Sequence, residues 1–321
     1  MRRTGKFLQF ILAAAAVACA AQAWGQAWPT RPIRMVTSVG AGSPADVLCR
    51  IYADELSQRV GQSVFVENKP GGDNLISVEA VLSSPADGHS LLCINGGNMA
   101  PALHKSMPWD FLKVMAPVVH IYKFGFFLVV NGKLPVNTAQ EFIAYAKANP
   151  GKLNYFHLVP TQKIGFALFA QRAGIDMVEI GYKGPEAYRD ILTGTVHAGM
   201  DGPVSFRGNI DNGNIKLLFT ANDQRSPLTP NVPTAREAGL GDLLLPSGLT
   251  LWTKAGSPPE AINKVNAAMN EALKSSQRLI DSIKATGGTI TGGTPADLQK
   301  QTELEFRIWA DGAKVAHYEP Q

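Results

Sequence analysis

The chain reads as an α/β protein with two lobes around a cleft. Three observations carry that reading. Strand-like and helix-like segments alternate from residue 33 onward, and the first block has βαβαβ order. Two apolar strands, "FGFFLVV" (124–130) and "GLTLWTKA" (248–255), lead out of that block and back into it. A βαβαβ block implies parallel strands with right-handed helical crossovers. With 321 residues, 45% of them hydrophobic, the chain is long enough to bury two cores.

In order, "IRMVTSV" is a β-branched, apolar strand. Val47, Leu48, Ile51, Tyr52, Leu56 and Val60 then recur at helical spacing from Asp46 onward. "SVFVEN" is a second strand, "LISVEAVL" a second helix after the Gly71-Gly72 turn, and "HSLLCI" a third strand ending in "NGGN". In the second block "NTAQEFIAYAKANPG" is a helix, with Thr138 and Glu141 in capping-box spacing and a Pro-Gly stop. "KLNYFHL", "MVEIGY", "VHAGMD" and "IKLLFTA" are strands, with helices at 163–173 and 185–193 among them, and "RSPLTPNVPT" is a Pro-rich loop. After the returning strand, "PPEAINKVNAAMNEALKS" and "TPADLQKQTELEFRIWADGAKVA" are amphipathic helices, the latter opened by Thr294 and Asp297 in T-x-x-D spacing.

Residues 1–27 have the layout of an export signal: Arg2, Arg3 and Lys6, an apolar run from Phe7 to Ala18, and small-residue cleavage points after Ala23 or Ala27. That run is too short to anchor in a bilayer. A lipoprotein reading at Cys19 is disfavoured by Ala16, where leucine is expected. Without the signal, the 30 basic side chains fall to 27 against 26 acidic ones, which leaves no nucleic-acid footprint. The mature chain, starting near Trp28, is expected in the periplasm as a monomer. It keeps Cys49 and Cys93. Export permits a disulfide between them, spacing cannot establish one, and the simpler reading is two small buried hydrophobes.

The stretch "VTSVGAGSPADV" (36–47) follows the first strand and opens the first helix. Gly40, Gly42 and Ala45 stand in G-x-G-x-x-A spacing, and Glu67 lies where a ribose-binding acid would fall. The export signal and Ser43-Pro44, at the point where a helix must approach a pyrophosphate, argue against a dinucleotide. As physical chemistry the stretch is a helix start: Ser43 as N-cap, Pro44 in the first turn, Asp46 completing the box, and free N–H groups that favour an anion. Other chemistry finds no footing. H-E-x-x-H, G-x-S-x-G and C-x-x-C are absent, and the six histidines (His89, His104, His120, His157, His197, His317) show no metal-binding pair. No cofactor, metal or catalytic residue is nominated.

A resemblance sharpens the reading. "WPTRPIRMV", "VENKPGG", "PADGHSLL", "GKLNY", "YKG" (182–184), "RSPLTPNVPTAREAG" and "GGTPADL" occur in the order and spacing of the substrate-binding proteins of tripartite tricarboxylate transporters, the Bug-type receptors. The chain resembles that family over nearly its whole mature length. The resemblance implies a type II periplasmic binding-protein fold, in which two α/β lobes joined by two crossing strands close on a small carboxylate. It implies lobes at 28–128 with 250–321 and at 129–249, and a membrane permease as partner. A sensing receptor and an exported α/β enzyme are the alternatives.

Carried over residue by residue, the first ligand loop is 38–46. There Gly40, Gly42, Ser43 and the amides of Ala41 to Ser43 would meet a carboxylate, Val39 would supply an apolar wall, and Asp46 would fix the helix start. Asn98, Thr161, Gln162, Tyr182 and Asp201 would complete the cleft, with packing under its own loop as the alternative for Tyr182. Thr161 is read as an N-cap that puts Lys163 in the first helical turn, either in solvent or on a second ligand carboxylate. The chain departs from the family pattern at Ser38-Val39, at Ser43, and in "FHLVPTQKIG", where His157, Gln162 and Lys163 replace small residues.

Overall fold

The computed structural model of the chain describes residues 28–320. The export signal, its cleavage points and Cys19 lie outside the described residues. Strand β1 (Ile33–Thr37) runs into helix α1 (Pro44–Val60), followed by β2 (Val64–Asn68), α2 (Leu75–Leu82) and β3 (Ser90–Ile94). Both neighbours of β1 are parallel to it, with Ile33 opposite Val64 and Arg34 opposite Ser90, as the βαβαβ order requires. Helix α1 closes on Gly61 in the left-handed conformation, φ 73°, which glycine adopts without penalty.

The outgoing segment is two strands, where the sequence suggests one. The first is β4 (Met115–Gly125) and the second β5 (Phe127–Asn131). At the junction the backbone passes so close to its neighbours that a Cβ on Gly125 would lie 2.6 Å from that of Asn222. The second lobe continues with α3 (Ala139–Ala148), β6 (Asn154–His157), α4 (Pro160–Ala173), β7 (Val178–Gly181), α5 (Glu186–Thr193), β8 (Ala198–Asp201) and β9 (Ile215–Thr220). The chain returns through β10 (Pro246–Lys254), α6 (Pro259–Ser275), α7 (Gln277–Ala285), β11 (Thr289–Gly292) and α8 (Pro295–Val315).

Two sheets result, ordered β11-β4-β10-β3-β1-β2 and β7-β6-β8-β5-β9. Neither is wholly parallel, because the connecting strands join them: β10 runs antiparallel to both β3 and β4, and β5 to both β8 and β9. The core follows strand alternation. On one face of the first sheet Ile33 and Met35 pack with Leu48, Tyr52 and Met269. On the other, Val36 and Leu92 pack with Val78, Phe111 and Trp252. Trp252 is fully buried, donates from Nε1 to Thr250 Oγ1 at 2.8 Å, and meets the Phe111 ring edge-on at 4.9 Å. Cys49 and Cys93 are fully buried between α1 and β3 with their Sγ atoms 2.6 Å apart.

Helix α8 carries the capping box read from the sequence. The Asp297 amide donates to Thr294 Oγ1 at 3.2 Å and the Thr294 amide to Asp297 Oδ2 at 2.9 Å. Its Leu298 packs in the first lobe beside Trp252, while Trp309 and Ala313 pack in the second beside Ile164 and Phe166. The helix therefore straps the two lobes together, a third connection beyond the crossing strands.

Candidate functional site

The loop after β1 exposes Gly40, Ala41 and Gly42 and folds back on itself. Gly42, at φ +80°, lets its N–H turn to Asp46 Oδ2 at 2.9 Å; the Ser43 N–H donates to the Gly40 carbonyl at 3.3 Å. Ser43 Oγ accepts from the Asp46 amide at 3.2 Å, so Ser43 is the expected N-cap, but the Asp46 carboxyl turns to Gly42 and the expected box does not close on the Ser43 amide. The run of amides from Ala41 to Ser43 is not all open to a ligand: those of Gly42 and Ser43 are used inside the loop. Among the described residues the N–H groups of Gly40, Ala41 and Ala45 have no protein partner. They are the donors that an anion would meet at the start of α1.

Asp46 is the anchor of this loop. It is 2% exposed and also accepts from Asn68 Nδ2 at 2.7 Å and Arg50 Nε at 3.0 Å, while Asn68 Nδ2 reaches the Val39 carbonyl at 2.9 Å. Burial pushes its carboxyl up, but the hydrogen bonds from Asn68, Arg50 and Gly42, with the Arg50 charge, hold it below the ordinary aspartate value. Its folded pKa being depressed, its stabilisation is present above the unfolded value and is lost as pH falls through the folded one. Asp46→Ala should cost about 1.5–3 kcal/mol at neutral pH by orphaning these donors. Urea titration should show the gap between variant and native narrowing on acidification below the ordinary aspartate range; a gap constant with pH would exclude this linkage.

Across the cleft, the end of β8 brings Asp201, Gly202, Val204 and Ser205 opposite Ala45 and Leu48 of α1, around a cavity of about 290 Å³. Asp201 is 7% exposed; its Oδ1 accepts from the Gly202 amide at 2.6 Å and from Ser205 Oγ at 3.4 Å. Burial pushes its carboxyl up to about 6, against hydrogen bonds from Gly202, Tyr188, Ser205 and Gln162 that lower it. The floor is Tyr122, Phe124 and Phe126, with Thr286 beside them. Tyr122 stacks on Phe124 at 6.1 Å, and Phe124 meets Phe126 edge-on at 6.3 Å. This aromatic row and Ser205 were not read from the sequence. Its signal was present in "YKFGFF": aromatics at i, i+2 and i+4 share one face of a strand.

The remaining nominated residues divide. Asn98 and Thr161 line a smaller cavity of about 120 Å³, separate from the one at Asp201. Gln162, 5% exposed, accepts from the Leu158 amide at 2.7 Å and so holds its own loop. Tyr182 donates to Asp190 Oδ2 at 3.0 Å, the packing alternative. Helix α4 begins two residues earlier than expected, with Val159 as N-cap and Pro160 at the first position, so Thr161 is not the cap. Lys163 takes neither expected role: its ammonium lies 2.9 Å from Glu179 Oε1, which His157 Nε2 also meets at 2.9 Å. That carboxylate offsets the cation at the positive end of α4. Among the described residues no group of three or more His, Cys, Asp or Glu could hold a metal, and no helix is long and apolar enough to cross a membrane.

Two mixed α/β lobes, strands crossing between them, and an open helix start facing the cleft define a two-lobed solute-binding protein. The profile described as tripartite tricarboxylate transporter family receptor matches residues 48–288. The chain is 33% identical over 256 residues to the UPF0065 protein in the gbd 5' region of Cupriavidus necator, covering 79% of this chain and 78% of that one. It is 30% identical over 291 residues to the protein BugT of Bordetella pertussis, with 88% of each covered. Among solved structures it is similar to an R. palustris protein with adipate (28% identity, TM-score 0.77, 92% of this chain and 100% of that one). It is also similar to the periplasmic binding protein BugD (25%, TM-score 0.74, 92% and 100%). The chain belongs to the tripartite tricarboxylate transporter receptors, a family of solute-binding receptors and not of enzymes.

Proposed function

We propose that this protein captures a small organic carboxylate in its interlobe cleft in the periplasm and delivers it to a membrane permease. The observation that carries the reading is the set of unpartnered N–H groups of Gly40, Ala41 and Ala45 at the start of α1, with Ala45 lining the larger cavity. The adipate in the R. palustris relative supports the ligand class, and the family description supports a permease partner. The closing bodies are residues 28–128 with 250–321 and residues 129–249. In support of that division, the first sheet draws its strands from 33–125 and 246–292 and the second from 127–220, which puts the crossings at 126 and just before 246, a few residues ahead of these bounds.

A thermal-shift panel of mono-, di- and tricarboxylates tests this. A carboxylate at about 100 times its Kd adds roughly 2.7 kcal/mol to the folded state, a rise of about 5 °C or more. No shift with any carboxylate, alongside shifts with neutral or cationic solutes, would overturn the reading.

A further inference from the structure

Beyond the expected export signal the sequence holds two cysteines, 44 residues apart and in different elements. Cys49 stands on the inward face of α1 with Tyr52 and Leu56, at i, i+3 and i+7. In β3, Leu91 and Cys93 point to the side of the sheet that carries this helix, while Leu92 and Ile94 point to the other. Cys93 lies opposite Thr37 of β1, whose hydroxyl is 3.6 Å from Cys49 Sγ. The two sulfurs meet there, fully buried and 2.6 Å apart, closer than unbonded sulfurs stand in van der Waals contact. Among the described residues no group of three or more His, Cys, Asp or Glu could hold a metal. The pair has no third ligand that would give it another use.

We propose that Cys49 and Cys93 are joined by a disulfide in the exported protein, an inference that rests on the periplasmic location given above, where such bonds form and persist. The thiolate of one cysteine attacks the disulfide of an exported thiol–disulfide oxidoreductase, and a mixed disulfide forms as that bond breaks. The thiolate of the other cysteine then displaces the enzyme. The chain gives up two protons and two electrons, and the enzyme leaves as a dithiol. Burial pushes the Cys93 thiol well above its ordinary value, so the folded chain offers neither a thiolate nor a way in. The bond therefore forms before α1 settles on the sheet, and the same burial then shields it from reductants. It closes a loop that contains β2 and α2, and it ties the first half of α1 to the third strand.

Two preparations test this. One is chain made with residues 1–27 and recovered from the periplasmic fraction; the other is residues 28–321, purified and refolded in mixed oxidised and reduced glutathione. Each is denatured in iodoacetamide without reductant. Mass spectrometry should find no label on Cys49 or Cys93, and both labelled when reductant is added first. Both cysteines labelled without reductant, in either preparation, overturns the disulfide. Absence of the chain from the periplasmic fraction overturns the location instead, and the refolded chain then still decides whether the pair bonds.

Melting separates a bond from two packed thiols. Cys49→Ala, Cys93→Ala and the double variant should all melt on the order of 5–10 °C below the native protein, because either substitution removes the whole cross-link. Losses in the two single variants that add up to the loss in the double variant belong to independent hydrophobes, and would overturn the disulfide.

Discussion

Ala45→Asp should abolish carboxylate binding while leaving the fold as stable as before or more so. Ala45 is partly exposed at the start of α1, lines the larger cavity and has an unpartnered N–H. A carboxylate side chain there occupies the place and the charge of the ligand. Like charges brought together in a cleft cost several kcal/mol, so affinity should fall at least a hundredfold. The same charge lies in the first helical turn, where the helix dipole favours it by about 0.3–1 kcal/mol, a gain reduced by Asp46 next to it. Calorimetry and thermal melting on one preparation separate the two effects. Binding within threefold of native would show that the anion does not sit at α1.

Trp252→Ala should cost about 3–5 kcal/mol, the range for removing a large aromatic from a packed core. The ring is fully buried against Phe111, and its strand β10 lies between β3 and β4. The loss therefore falls on the first lobe. Urea unfolding followed by far-UV circular dichroism should split, with an early phase for the first lobe and a later one for the second. A single transition shifted by less than 1 kcal/mol would contradict this account of the core.

Elements whose signals are local were legible. Helices α1, α3 and α8 begin where S-x-x-D, T-x-x-E and T-x-x-D place them, because a cap involves only four consecutive residues. Strand β4 was only partly legible. Pro117, His120 and Lys123 interrupt its apolar pattern, and its neighbours β10 and β11 arrive more than a hundred residues later. Helix α7 was not read: the amphipathic run was ended at Ser275, where α6 does end, and α7 follows after Ser276 alone, with no turn residues to mark a new element. The site shows the same division. The loop from Gly40 to Asp46 reads as an anion site, but which amides stay open is decided by Asp46 reaching back to Gly42, with Asn68 and Arg50 holding it there. The destination of Lys163 depended on Glu179, brought to it by the pairing of β7 with β6.

The position of β10 also sets an order of assembly. The strands of the second sheet are contiguous in the chain and end at Thr220, although Leu245 and Trp309 complete the core beneath them, whereas the first sheet waits for Pro246–Lys254 to fill the gap between β3 and β4. As synthesis proceeds from the amino end, the first lobe stays an unfinished sheet until about three quarters of the polypeptide exists. The amino-terminal half of the chain therefore cannot complete its sheet early, because the strand that closes it arrives only with the carboxyl-terminal quarter.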